Sequence, residues 1–268
     1  MNPLKAYKNS EFLSSPQART IRILSEFLEP QLRFRIEGIK DTIVFFGSSR
    51  ILSTEIAKKQ LHQLKIKFNN SKQLTQLQKE KLHIKETDLL MSKYYEDACQ
   101  LSSLITKWSK SLDGDRRFVI ASGGGPGIME AANRGARKVG GKSVGLNISL
   151  PHEQGPNKYI SKNLSFEFHY FFMRKFWFIY LAKALVMFPG GFGTMDEMWE
   201  VLTLIQTKKV KKYLPIVLYG SRYWNDVINF EALVNYGMIS KKDMKLFRFA
   251  DTPEEAFNLL KKELSNYI

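Results

Sequence analysis

The chain reads as an α/β protein: a doubly wound, Rossmann-like parallel sheet of about six or seven strands with helices on both faces. Three observations carry that reading. Short apolar runs such as TIVFFG and LPIVLYG alternate with longer stretches of helical period. The runs are apolar throughout, as strands covered on both faces must be. Three of them end in small residues just before a helix: FFGSSR (45–50), ASGGGPG (121–127) and FPGGFGT (188–194). Such alternation implies right-handed βαβ crossovers, which bring the carboxyl ends of the strands to one edge.

The elements follow in order. Residues 1–40 hold one amphipathic run, TIRILSEFLEPQLRFRIEGI, and read as a helical N-terminal extension. Residues 41–268 read as a single nucleotide-binding domain. TIVFFG (42–47) is its first strand. Leu52 to Leu112 is Lys/Gln/Leu-rich and helical with a break near FNNSKQ, and its first part, about 51–91, is an insert. RFVIASGGG (117–125) is a strand and GIMEAANRGARKVG its helix. KSVGLNISL (142–150) is a third strand, and PHEQGPNKYISKN after it is irregular. An aromatic helix follows LSFEFHY, then the strand ALVMFPGG, the helix TMDEMWEVLTLIQ, the strand LPIVLYG, a helix at 223–235, FRFAD, and a last helix PEEAFNLLKKEL.

Composition narrows the function classes. Lys and Arg number 41 against 26 Asp and Glu, a formal charge of +15. That favours anionic partners. The excess is mostly Lys scattered over helices, with no arginine-rich tract, so no nucleic-acid partner is expected. The single cysteine, Cys99, excludes an intramolecular disulfide framework and fits a reducing cytoplasm. The apolar region FHYFFMRKFWFIYLAKALVMF has membrane-spanning length, but Arg174, Lys175 and Lys183 interrupt it, and no membrane association is expected. One Cys and four His without ligand spacing point to no metal.

The three glycine turns are the strongest signal. Glycine lets an anion approach the unpaired N–H groups of a helix start. Three such turns on one edge suggest a nucleotide or phosphate site. The dinucleotide fingerprint fails, because Ile128 stands where its third glycine belongs and no acid follows at ribose distance. The P-loop spacing fails at GARKVGGKS as well. The aromatic helix is apolar on nearly every face and is expected in core or a subunit interface. Arg174 inside it is costly unless it snorkels, pairs structurally, or faces a phosphate or carboxylate. Thr194–Glu197 also fits a capping box, T-x-x-E, so on spacing alone Glu197 could serve only to start a helix.

GGGPGIMEAANRGA, MRK and PGGFGTMDE together resemble the LOG ("lonely guy") family of cytokinin riboside 5′-monophosphate phosphoribohydrolases, often mislabelled lysine decarboxylases. The resemblance spans roughly Ile43 to the C-terminus, and its key motif is PGGxGTxxE. It implies hydrolysis of the N-glycosidic bond of an adenosine monophosphate type nucleotide to free base and ribose 5-phosphate, with no cofactor. It implies Arg174 and Glu197 as the catalytic pair. It implies Gly190, Gly191, Gly193 and Thr194 as the phosphate loop, with Gly47, Ser48, Gly123, Gly124 and Gly125 lining the rest of the pocket and Met173 and Lys175 flanking Arg174. The extension and the helical insert depart from the compact members. Two alternatives stay open: a broader purine or pyrimidine monophosphate nucleosidase, and a non-catalytic carrier of a phosphorylated cofactor. A homodimer is expected, with the aromatic helix at its interface.

Overall fold

The computed structural model describes residues 3–69, 73–112, 116–149 and 155–267. Among them the chain runs α1 (Ser10–Ser14), α2 (Arg19–Ile36), β1 (Thr42–Phe46), α3 (Thr54–Phe68), α4 (Gln76–Met91), α5 (Lys93–Lys110), β2 (Val119–Ser122), α6 (Ile128–Lys138) and β3 (Ser143–Ile148). It continues β4 (Ser165–Phe168), α7 (Phe171–Tyr180), β5 (Ala182–Met187), α8 (Phe192–Gln206), β6 (Ile216–Tyr219), α9 (Ser221–Val227), α10 (Phe230–Asn235), β7 (Phe247–Ala250) and α11 (Pro253–Leu264). The break expected near FNNSKQ and the irregular stretch after β3 fall partly outside the described residues.

The seven strands form one parallel sheet in the order β4-β3-β2-β1-β5-β6-β7. This is the doubly wound α/β architecture. The uniformly apolar strands have a simple cause: successive side chains point to opposite, equally covered faces. Along β1, Val44 and Phe46 enter the core beneath α2, α7 and α8, whereas Ile43 and Phe45 enter the core beneath α5, α6 and α11.

Strand order fixes where a ligand can enter. From β1 the chain winds outward through β2 and β3 to β4, then returns to place β5 on the other side of β1. The crevice of such a sheet opens at that reversal, outside the carboxyl ends of the strands. FFGSSR ends β1 and FPGGFGT ends β5, paired through Phe46 and Met187.

Two helix expectations change. The aromatic helix is shorter than expected, Phe171–Tyr180, and the strand expected after it, β5, begins at Ala182. The helix is not buried all round. Met173, Trp177, Phe178 and Ile179 face the core, while Phe171, Phe172, Phe176 and Tyr180 are exposed. The helix expected at 223–235 breaks at Ile228, where Asn229 caps α10 by accepting from the Ala232 N–H.

Candidate active site

A pocket of about 690 Å³ opens at the carboxyl ends of β1, β2 and β5. Its floor is the start of α8. Gly191 is the N-cap, with no side-chain cap, and its carbonyl accepts from the Thr194 and Met195 N–H groups, both at 3.0 Å. The N–H groups of Gly191, Phe192 and Gly193 reach no carbonyl among the described residues. A Cβ on Gly191 or Gly193 would meet only open space. Unpaired donors, the positive end of a 15-residue helix and room in front of it make an anion seat.

The capping-box reading of Thr194 and Glu197 falls here. The helix begins at Phe192, three residues earlier than that box requires, so Glu197 already lies in its second turn. Thr194 is buried, and Glu197 is 6% exposed at the pocket wall. One Glu197 carboxylate oxygen, Oε1, stands 3.3 Å from Lys175 Nζ. The other, Oε2, is buried and has no hydrogen-bond partner among the described residues. Burial pushes the carboxyl up to about 6, against the pull of the Lys175 and Arg174 charges. Such a group changes charge close to neutrality, as a proton-transfer residue requires.

Lys175 does not line the pocket. It sits behind Glu197, with Nζ 2.8 Å from Asp196 and 2.7 Å from Glu200 as well. Burial alone would lower its pKa, but its contacts with Asp196 and Glu200 and the nearby carboxylate charges hold the ammonium above its ordinary value. Lys175 is therefore a fixed cation beside Glu197, outside the pocket lining. Met173 likewise points into the core.

Arg174 does reach the pocket. Its Nε donates to the Leu146 carbonyl at 2.7 Å and its Nη2 to the Gly123 carbonyl at 3.5 Å, with the guanidinium 5.1 Å from the Phe178 ring centroid. Gly123 makes this approach possible: a Cβ there would lie 2.6 Å from Nη2. The cation is thus held across the ends of β2 and β3.

The second glycine turn behaves differently from expectation. Gly47, Ser48 and Gly123 line the pocket, but Gly124 and Gly125 do not. Their carbonyls accept from Asn157 Nδ2 at 2.9 and 3.0 Å, and the Gly124 carbonyl also accepts from the Asn157 N–H at 2.8 Å. The first N–H of α6, from Ile128, donates to the Ser48 carbonyl at 3.1 Å. Protein groups, not open space, fill that turn.

Sequence reasoning missed several residues. Tyr223 lines the pocket and donates to the Gly190 carbonyl at 2.8 Å, bracing the α8 turn. Arg50 at the mouth, and Asp88 and Met91 at the end of α4, show that the helical insert supplies part of the wall. Arg50 ends the FFGSSR turn, but no local motif marks Tyr223, Asp88 or Met91, which arrive through tertiary contacts. Among the described residues no group of His, Cys, Asp and Glu is arranged to hold a metal. None of their helices is long and apolar enough to cross a membrane.

Residues 129–260 match the family model described as "Possible lysine decarboxylase". No curated protein matches the chain. Among solved structures, the structural genomics protein TM1055 is 19% identical, covering 83% of this chain and 99% of its own, at a TM-score of 0.49. A molybdenum cofactor binding protein from the phototrophic bacterium Rippkaea orientalis is 20% identical, with 63% and 86% covered and a TM-score of 0.45. A Moco carrier protein from Chlamydomonas reinhardtii is 22% identical, with 65% and 89% covered and a TM-score of 0.41. At these scores the three structures carry no functional weight for this chain. The family match does, because it spans Arg174, Lys175, the α8 turn and Glu197. Over residues 129–260 the chain is thus similar to the family of that description, the label under which LOG proteins are often placed.

Proposed function

We propose that this protein hydrolyses the N-glycosidic bond of nucleoside 5′-monophosphates, adenine nucleotides with or without an N6 substituent first among them, releasing free base and ribose 5-phosphate. The observation that carries the reading is Glu197: a buried carboxylate with one unpartnered oxygen, beside an anion seat in the same pocket.

The chemistry follows from that pairing. Phosphate oxygens accept from the free N–H groups of Gly191, Phe192 and Gly193 and hold the nucleotide. The bond between C1′ and the base nitrogen breaks with its electron pair leaving on the base, which takes a proton from solvent. Positive charge grows on the ribose, and the Glu197 carboxylate stabilises it. A water attacks C1′ and gives its proton to Glu197, so the sugar leaves as ribose 5-phosphate. Arg174 fixes the sugar or phosphate and favours the ionised carboxylate. The reaction needs no organic cofactor or metal.

Lysine decarboxylation fits less well. It requires an electron sink, usually bound through a lysine Schiff base. Lys175, held cationic by three carboxylates, is a poor amine nucleophile.

Incubation with a panel of nucleoside monophosphates, with chromatography of free base and assay of ribose 5-phosphate, tests the proposal. Release of base in equal amount to ribose 5-phosphate is expected. Tight binding without release would favour the carrier; equal release from all purine and pyrimidine monophosphates would favour the broader nucleosidase. The working form is expected to be a homodimer joined through exposed apolar faces: Leu24, Leu28 and Leu32 on α2, and Phe172, Phe176 and Tyr180 on α7. Sedimentation velocity at micromolar concentration checks this, and a strictly monomeric mass would contradict it.

A further inference from the structure

A second cleft, of about 480 Å³, lies at the opposite edge of the sheet, where the chain enters β6 and β7. Five cationic residues line it (Lys208, Lys211, Lys212, Lys245 and Arg248) against one carboxylate, Glu263. That carboxylate already accepts from the Tyr213 hydroxyl. The imbalance is local, and it is sharper than the charge of the chain requires.

We propose that this cleft is a second, independent binding site for a small, multiply charged anion of the polyphosphate class. Lys212 is the central observation. It is half-buried, and its ammonium donates to the Ile179 and Tyr180 carbonyls at the end of α7, the Tyr180 contact at 3.0 Å. No carboxylate stands within ion-pair distance among the described residues. Burial, and next the Lys183 charge, pull its pKa down to about 8, with Asp41 opposing. A desolvated cation so placed gains from an incoming anion. The apolar floor of Val210, Leu246 and Leu259 keeps the local dielectric low and strengthens each ionic contact.

Lys208 is the second, separate observation. It follows the C-cap of α8 with φ +57, a left-handed conformation that glycine would adopt without penalty. A lysine there carries backbone strain while adding a cation to the cleft. Concavity favours a small ligand: an extended nucleic acid would call for a basic stripe, not a cleft. Lys212 links the cleft to α7, the helix that bears Arg174, through its bonds to the Ile179 and Tyr180 carbonyls.

Calorimetric titration of the full chain with inorganic tripolyphosphate at fixed ionic strength tests the proposal. The parent is expected to bind, and Gly191→Val, which fills the anion seat at α8, is expected to retain that binding within about twofold. Lys211→Ala with Lys245→Ala should weaken it about tenfold or more. Lys208→Gly should also bind more weakly while melting at or above the parental temperature, which separates lost binding from lost folding. No binding by the parent, undiminished binding by the double variant, or loss in Gly191→Val would overturn the assignment. Equal displacement of tripolyphosphate by duplex DNA, charge for charge, would overturn it in favour of an extended nucleic-acid surface.

Discussion

Two strand-to-helix turns in this molecule look alike in sequence and do opposite things. GGGPG after β2 and PGGFG after β5 are both glycine-rich, and both precede a helix. The β5 turn leaves the first N–H groups of α8 open to the pocket. The β2 turn is packed by its own chain: Asn157 holds two of its carbonyls, and the first α6 N–H, from Ile128, donates to the Ser48 carbonyl. Strand order explains the difference. β1 and β5 flank the point where the winding of the chain reverses, so the crevice forms between them; β2 lies one strand away, where neighbouring loops pack over its end. Glycine content marks where a backbone can be approached closely. Topology decides whether a ligand or the protein itself does the approaching.

The largest effect should come from removing the anion. Two or three charge-assisted N–H bonds, worth about 1.5–3 kcal/mol each, are absent from a nucleoside without phosphate. AMP should therefore exceed adenosine in kcat/KM by about 10³-fold. Equal values in the same assay would leave the open turn without a ligand.

The two turns can next be broken separately. Gly191→Val places a side chain where the anion sits, and its extended backbone tolerates the change. Base release should fall by about 10²-fold, because the side chain pushes the phosphate off its aimed donors, with the melting temperature nearly unchanged. Gly124→Ala should do the reverse. Gly124 has φ +77, and a Cβ would stand 2.1 Å from Asn147 Oδ1. Left-handed strain of about 1–2 kcal/mol adds to an overpacking cost of about 1–3 kcal/mol. Thermal melts and base release on both variants would show the contrast; the same loss of the same property in both would erase it.

A smaller effect follows from the position of Glu197. Activity that requires its carboxylate should rise about tenfold per pH unit and level off above about 6. A rate that falls across that range would make Glu197 a general acid. Stability moves the other way. The folded carboxyl titrates above its ordinary value, so the folded state holds a proton that the unfolded chain has lost, and stability declines as pH rises from about 4.5 to about 6.

Much of this was legible from the sequence, for identifiable reasons. Strands buried on both faces must be apolar, so TIVFF and ALVM announced themselves. The PGGFGT turn and Arg174 could be paired only through the family resemblance, since 16 residues and a strand separate Arg174 from Gly190. What stayed hidden depends on contacts distant in sequence. Asn157 closes a turn over thirty residues earlier, and Asp88 and Met91 reach the pocket from the insert. Lys175 resembled a ligand group because it adjoins Arg174, but adjacent helical residues point in different directions, and it faces α8 instead. The capping box at Thr194 failed because the glycine before Phe192 starts the helix without any side chain.

The direct test of the central claim is Glu197→Gln, assayed for base release from AMP and for thermal stability on the same preparation at neutral pH. Gln keeps the shape and removes the buried charge. Turnover should fall by about 10²-fold or more. Stability should match or exceed the parent by up to about 2 kcal/mol, the free energy of the raised carboxyl pKa. A folded Glu197→Gln protein that releases base at the parental rate would contradict the claim that this buried carboxylate is kept for chemistry.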